Sequence, residues 1–295
     1  MTTNSFVIEP HESDLRLDKL LTARFPNHSR SYFQFLIDQE AVFINGKIPK
    51  KKDKIRPGDV VKVTLQSLPD PSVLPENIPL DILFEDDHLI AINKPRGMCV
   101  HPGAGNPSHT LVNALLHHTK SLPKSSSPVR PGIVHRLDKE TSGVMIAAKT
   151  TEAHSLLVDL FKFRKIEKQY IAICENTPRE GIVSLPIGRH PVNRKEMAVV
   201  EGGKEAITEI SVLDKTWKYS LVLLKPKTGR THQLRVHLKA LKSPIVGDKV
   251  YGNATKNRPF MLLHAYKLNF IHPILGTPIE LTAEIPKEFL FSLEK

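Results

Sequence analysis

The chain has 295 residues, too many for one small core and suited to two domains, and its 42 Lys and Arg against 31 Asp and Glu leave a net charge of +11 that suits a polyanionic partner. No apolar run nears the roughly 18 residues of a membrane span, and residues 1–14 carry acids without the apolar stretch of a secretion signal. The only cysteines, Cys99 and Cys174, lie far apart in separate apolar runs, which excludes a disulfide framework or zinc cluster and reads as free thiols in a reducing cytoplasm.

Over residues 14–25, Leu17, Leu20, Leu21 and Phe25 recur at helical spacing, with Ser13 or Asp14 placed to cap and Pro26 to stop the helix. Ser29 opens a second helix that turns Phe33, Leu36 and Ile37 inward. Residues 42–46 read as a strand entering an Asn-Gly turn, Pro57-Gly58 as another turn, and residues 60–65 as a second strand. Between the strands stand Lys47, Lys50, Lys51, Lys52, Lys54 and Arg56 against Asp53 alone. Such a run fits a solvated loop or, beside Arg30 at the mouth of the second helix, a phosphate-contacting patch. Two helices followed by paired strands resemble the small αL RNA-binding domain of the ribosomal small-subunit type. That family has Gly just before the first strand, where this chain has Glu40-Ala41.

The domain is expected to span residues 1–68. Residues 69–79, with Pro69, Pro71, Pro75 and Pro79, form a semi-rigid linker to a second domain over residues 80–295. There, residues 82–84 and 89–92 read as strands and 110–118 as a short helix. Residues 132–143 hold a β-like run, then Asp138, Thr141, Ser142 and Gly143 at turn spacing, followed by the apolar run 144–148. By itself this is an Asx-type turn closing a hairpin. Residues 151–163 form a helix faced by Leu156, Leu157, Leu160 and Phe161, and 169–174, 182–187, 206–213 and 219–224 are strands. Arg189, His190, Arg194 and Lys195 make residues 189–200 a basic loop suited to lie over nucleic acid. Thr231 is placed to cap a helix with Leu234, Leu238 and Leu241 on one face and Arg235, Lys239 and Lys242 opposite, and 261–270 and 277–281 are the closing strands.

The segment His135-Arg-Leu-Asp138-Lys-Glu-Thr-Ser-Gly143 resembles the catalytic motif of the RluA/RluD-type pseudouridine synthases. Residues 85–95, 186–191, 228–237 and 244–248 resemble further motifs of that family in the same order, so the likeness runs over about residues 80–286. The resemblance implies an α+β catalytic domain on a mixed, largely antiparallel sheet with flanking helices. It implies Asp138 as the catalytic carboxylate, Arg235 as its partner, and Tyr170 as the ring that stacks on the target base and helps remove its proton. Spacing alone does not choose between Arg235 and Arg230, and a strand Tyr can equally well only pack. Arg136 would push into the RNA as the uridine flips, His135 and Lys168 would contact substrate, and one of Leu262 and Leu263 would line the base pocket. Isomerisation at one carboxylate calls for no metal and no redox or nucleotide cofactor. The implied protein is a cytoplasmic monomer acting on large-subunit ribosomal RNA, within a pre-ribosomal particle or outside one. Transfer RNA as substrate, a non-catalytic RNA-binding or ribosome-assembly factor, and an N-glycosidic hydrolase are the alternatives. The hydrolase would need a second carboxylate placed as proton donor.

Overall fold

The computed structural model describes residues 2–26, 28, 30–50, 53–66, 73–103, 105–119, 122–123, 129–193, 196–253 and 259–290. The chain divides into two compact units, one over Met1–Ser72 and the other over Val73–Pro123 and Arg130–Lys295.

In the first unit, strand β1 (Thr2–Val7), helices α1 (Leu17–Arg24) and α2 (Arg30–Asp38), and strands β2 (Val42–Ile44) and β3 (Val60–Leu65) follow in order. The sheet runs β1-β3-β2, antiparallel throughout. Leu17, Leu20 and Leu21 of α1 meet Phe33, Leu36 and Ile37 of α2 in one core with Val42, Val61 and Val63. Strand β1 was not foreseen, because only Phe6 and Val7 break its polar run; register along β3, from Thr2↔Leu65 to Val7↔Val60, holds it instead. Helix α1 begins at Leu17 rather than Asp14, whose φ of 61° is left-handed, and neither Ser13 nor Asp14 caps it. Glu40 takes φ 54° before β2. It adopts the left-handed backbone that glycine takes most readily.

Arg30, expected at a phosphate-contacting patch, is partly exposed and pairs with Asp18. Asp18 is fully buried, and Arg16, Arg30 and Gln34 converge on its carboxylate. A buried carboxylate without such donors would be strongly destabilising. Burial works against its charge, and the bonds from Gln34, Arg30 and Arg16 outweigh that and lower its pKa. Lys47, Lys50, Lys54 and Arg56 are exposed, whereas Lys51, Lys52 and the proposed cap Ser29 lie outside the described residues.

Of the expected linker over residues 69–79, residues 69–72 lie outside the described residues and 73–79 belong to the second unit. The Glu76 amide donates to the Asn113 carbonyl, Asn113 Nδ2 to the Leu74 carbonyl, and Glu76 Oε1 accepts from the His109 amide. The second unit then runs β4 (Ile82–Glu85), β5 (Leu89–Lys94), α3 (Leu111–His118), β6 (Ser142–Ala148), α4 (Thr151–Lys162), β7 (Glu167–Glu175), β8 (Gly181–Ser184), β9 (Ile187–Arg189), β10 (Met197–Val199), β11 (Ile207–Lys215), β12 (Tyr219–Pro226), α5 (Gln233–Ala240), β13 (Leu263–Ile271), β14 (Pro278–Thr282) and α6 (Lys287–Leu290). Among the described residues one sheet orders its strands β4-β5-β6-β13-β7-β12-β11-β8, with β14 also on β13. Among the described strands only the β6–β13 pair is parallel, and β9 and β10 form a separate hairpin. The fold is α+β on a mixed, largely antiparallel sheet.

The parallel junction is tight. A Cβ on Gly143, at φ 111°, would stand 2.1 Å from the Ala265 carbonyl oxygen, so only glycine lets β6 approach β13 here. The hairpin that this stretch reads as by itself is reduced to a single antiparallel bridge. Residues 134–138 are irregular, returned on β6 through the bridge Ile133↔Ala147, the Ala148 amide on the Gly132 carbonyl and the Ile146 amide on His135 Nε2, and Asp138 is left at the sheet's end.

Candidate active site

Asp138 sits in the turn that feeds β6, closed by the Thr141 amide donating to the Asp138 carbonyl. Lys94, the last residue of β5, is fully buried, and its Nζ donates to the carbonyls of Pro95 (2.8 Å), Met98 (3.0 Å) and Lys139 (3.3 Å). The Gly97 amide donates to the same Lys139 carbonyl. The peptide after Asp138 is therefore fixed from beneath. Burial lowers the Lys94 pKa to about 8, against the opposing charges of Cys99, Glu140 and Asp138.

Arg235 comes from the first turn of α5, where the helix N-terminus also favours a carboxylate nearby. Its Nη1 donates to Asp138 Oδ2 at 2.9 Å, while Nε and Nη2 clamp Asp248 Oδ2 and Oδ1 at 2.7 and 2.9 Å. Asp248 is fully buried and also accepts the Val250 and Tyr251 amides. Burial opposes the guanidinium's charge, but Asp248 and then Asp138 outweigh it and raise the Arg235 pKa. A permanently charged donor thus lies between two carboxylates, one structural and one facing the cavity. Arg235 is not part of an outward basic stripe, because residues 233–238 of α5 are all buried. Nor does Thr231 cap the helix. The N-cap is His232 at φ 56°, and Gln233 anchors the turn through Thr228, the Arg230 amide and the Ile207 carbonyl.

Asp138, Arg235 and Tyr170 share the lining of an open cavity of roughly 580 Å³, within the usual range for small-molecule sites. Tyr170, on β7, is half-buried between two core clusters, so its ring both packs and walls the cavity. Burial, reinforced by the charge on Asp138, raises its pKa and keeps the phenol neutral. The rim is cationic, with Arg136, Lys162, Arg164, Lys168, Lys227 and Arg230. Burial, then the charge on Arg164, lowers the pKa of Lys168.

The remaining expected contacts separate. Arg136 is exposed at the cavity. His135 lines the cavity but stacks on Phe161, and its Nε2 accepts the Ile146 amide. Burial, with Lys168 nearby, brings its pKa to about 3, so it is a neutral packing and accepting group. Arg230 lines the cavity with Nε on the Glu205 carbonyl and does not reach Asp138. Leu263 faces the cavity, whereas Leu262 packs with Ile171, Ile173 and Phe289 on the other side. Arg189 is exposed on β9, and Arg194 lies outside the described residues. Lys94 and Asp248 were missed as site residues, although both fall in the motif stretches. The available signal was an ionisable residue closing an apolar strand or turn.

Residues 88–240 match the RNA pseudouridylate synthase family and residues 15–61 the S4 domain. The fold, the carboxylate–arginine pair in the cavity and the S4 domain together define an RNA-modifying isomerase. The chain is 43% identical over 301 residues to an RNA pseudouridine synthase of Aquifex aeolicus (strain VF5), covering 96% of this chain and 94% of that one. It is 40% identical over 295 residues to ribosomal large subunit pseudouridine synthase D of Escherichia coli (strain K12), covering 95% and 90%. Among solved structures, human RNA pseudouridylate synthase domain containing 1 matches with TM-score 0.60 at 30% identity, over 74% of this chain and 88% of that one. This chain belongs to the RNA pseudouridine synthase family, whose members isomerise uridine to pseudouridine.

Proposed function

We propose that the protein converts uridines of large-subunit ribosomal RNA to pseudouridine with Asp138 as the catalytic carboxylate, working as a monomer in the cytoplasm. The observation that carries this reading is the Arg235–Asp138 contact at 2.9 Å inside the tyrosine-walled cavity. Isomerisation must break the bond from ribose C1′ to uracil N1, turn the base, join C1′ to C5, and shed the proton from C5. Arg235 and His232 both approach Asp138 Oδ2, leaving Oδ1 without a protein hydrogen bond among the described residues. That oxygen is the one available to the sugar or base. Tyr170, a neutral phenol, suits stacking on the base better than proton removal. Leu263 completes the apolar wall.

Flipping a uridine into the cavity costs a few kcal/mol. In this reading Arg136, exposed at the cavity, fills the vacated stack, and Arg230, Lys168 and the other rim cations hold phosphates. The first unit, with exposed Lys47, Lys50, Lys54 and Arg56, is read as a phosphate clamp that adds affinity and register. Large-subunit RNA is chosen over transfer RNA because relatives at about 40% identity over nearly their whole length are named for that substrate.

The test is to incubate unmodified large-subunit RNA with the protein and map the product. An unbroken chain with pseudouridine at a few defined positions is expected. Base loss would mean a hydrolase, and unchanged RNA a binding factor. Modification of transfer RNA alone would correct the substrate.

A further inference from the structure

Beside Arg235, a second side chain of α5's entry turn is aimed at Asp138. His232 Nε2 lies 3.8 Å from Asp138 Oδ2, and its Nδ1 lies 2.8 Å from the Tyr251 hydroxyl. That hydroxyl already accepts the Met197 amide of β10 at 2.8 Å. With its own proton given to His232 Nδ1, the hydroxyl selects the imidazole tautomer carrying hydrogen on Nε2. The parts are held. Tyr251 is buried with Val236 and Ile187, its ring lies under the Arg235 guanidinium at 4.9 Å, and its amide is bound by Asp248. His232 is held in a left-handed backbone that few side chains adopt, which fixes its direction.

We infer that His232 is a further positioning residue of the reaction, locked by the Tyr251 hydroxyl so that its Nε2–H, alongside Arg235, holds and orients the Asp138 carboxylate. The inference rests on the reading of Asp138 given above. At 3.8 Å the group is within ion-pair reach, and such contacts commonly tighten when substrate fills a site. Through the Met197 amide the same chain of bonds joins the β9–β10 hairpin to the catalytic carboxylate.

The groups facing the imidazole are Asp138 from the β6 entry turn, Arg235 from α5, Asp248 and Tyr251 from the segment after α5, and Arg136. Burial dominates and lowers the His232 pKa against the opposing pull of Asp138, with Arg235 adding to the lowering. In the neutral imidazole the tautomer is therefore what matters, and the tyrosine hydroxyl sets it.

Tyr251→Phe removes that hydroxyl while keeping the ring beneath Arg235. With unmodified large-subunit RNA, RNA affinity is expected to stay unchanged while the single-turnover rate drops about tenfold at mildly alkaline pH. The ratio of variant to parent rate should recover as pH falls through the imidazole range, because the imidazolium carries Nε2–H whichever tautomer the neutral form prefers. His232→Gln, which keeps a donor near the Nε2 position, should retain most of the rate that His232→Leu loses. A rate ratio constant across pH, or equal rates for the Gln and Leu variants, would overturn the inference. Asp138→Asn is run in parallel. If it turns over normally, the reading of Asp138 fails; if it is inactive and the Tyr251→Phe ratio is flat, only the role of His232 fails.

Discussion

Arg235 and Arg230 differ by one turn of chain and by nearly everything else. Arg235 is buried between Asp248 and Asp138, while Arg230 lies at the rim with its Nε on a backbone carbonyl. Removing one partner of a buried ion pair leaves an uncompensated charge and costs about 3–5 kcal/mol. Arg235→Met should therefore lower the melting temperature and abolish turnover together, whereas Arg230→Met should leave the melting temperature alone and weaken RNA affinity. Thermal denaturation, single-turnover rates and binding titrations on both variants check this, and the opposite ordering would mean the roles are reversed. Lys94 gives a prediction in pH. Its ammonium supplies donors to three carbonyls, one of them directly after Asp138, and burial has brought its pKa to about 8. Below that pH all three bonds are intact. As pH rises through it, the amine loses a proton, one carbonyl loses its donor, and the turnover rate should fall. Lys94→Met should be slow at every pH and lack that alkaline limb in a pH–rate profile.

At the scale of elements, the turn between α2 and β2 carries a backbone strain whose effect is measurable. Glu40 holds φ 54°, a conformation that costs a non-glycine residue about 1–2 kcal/mol, while glycine gives back roughly 0.5–1 kcal/mol in unfolded-chain entropy. Glu40→Gly should thus stabilise the first unit by up to about 1 kcal/mol in denaturant unfolding, and a loss of stability would show that the Glu40 side chain contributes something the backbone does not reveal. Elements with strong local patterns were legible in the sequence. The helices over 111–118 and 151–162 and the apolar strands β5, β6 and β7 all follow from spacing. Strand β1 was not legible, since its pairing with β3 comes from a distant partner rather than from its own composition. The same reason explains the pairings that local spacing does not show. Nothing near Arg30 announces that Asp18 is buried across from it, and nothing near Arg235 announces a carboxylate 97 residues earlier in the chain. Periodicity assigns a face to each residue of a helix, but α5 buries both faces of its first six residues. The resemblance over five motifs named Asp138, Tyr170 and Arg235, and the structure brings those three to one cavity. The supporting layer of Lys94, Asp248, His232 and Tyr251 emerged only from the fold.

At the scale of the whole molecule, the net charge of +11 and the exposed lysines of the first unit should make RNA binding electrostatic and salt-sensitive. Each phosphate contact contributes about 0.7–0.9 to the negative slope of log affinity against log salt. Replacing Lys47, Lys50 and Lys54 with Gln should flatten that slope by up to roughly two units while turnover at saturating RNA stays unchanged. An unaltered slope would show that these lysines are merely solvated. The central claim lies in the second unit, that Asp138 performs the isomerisation, and Asp138→Asn tests it most directly because it removes the ionisable oxygen with almost no change in shape. Measured by single turnover on unmodified large-subunit RNA, the variant is expected to bind RNA as the parent does and to form no pseudouridine. Pseudouridine formed by the variant at the parent's rate would contradict the account.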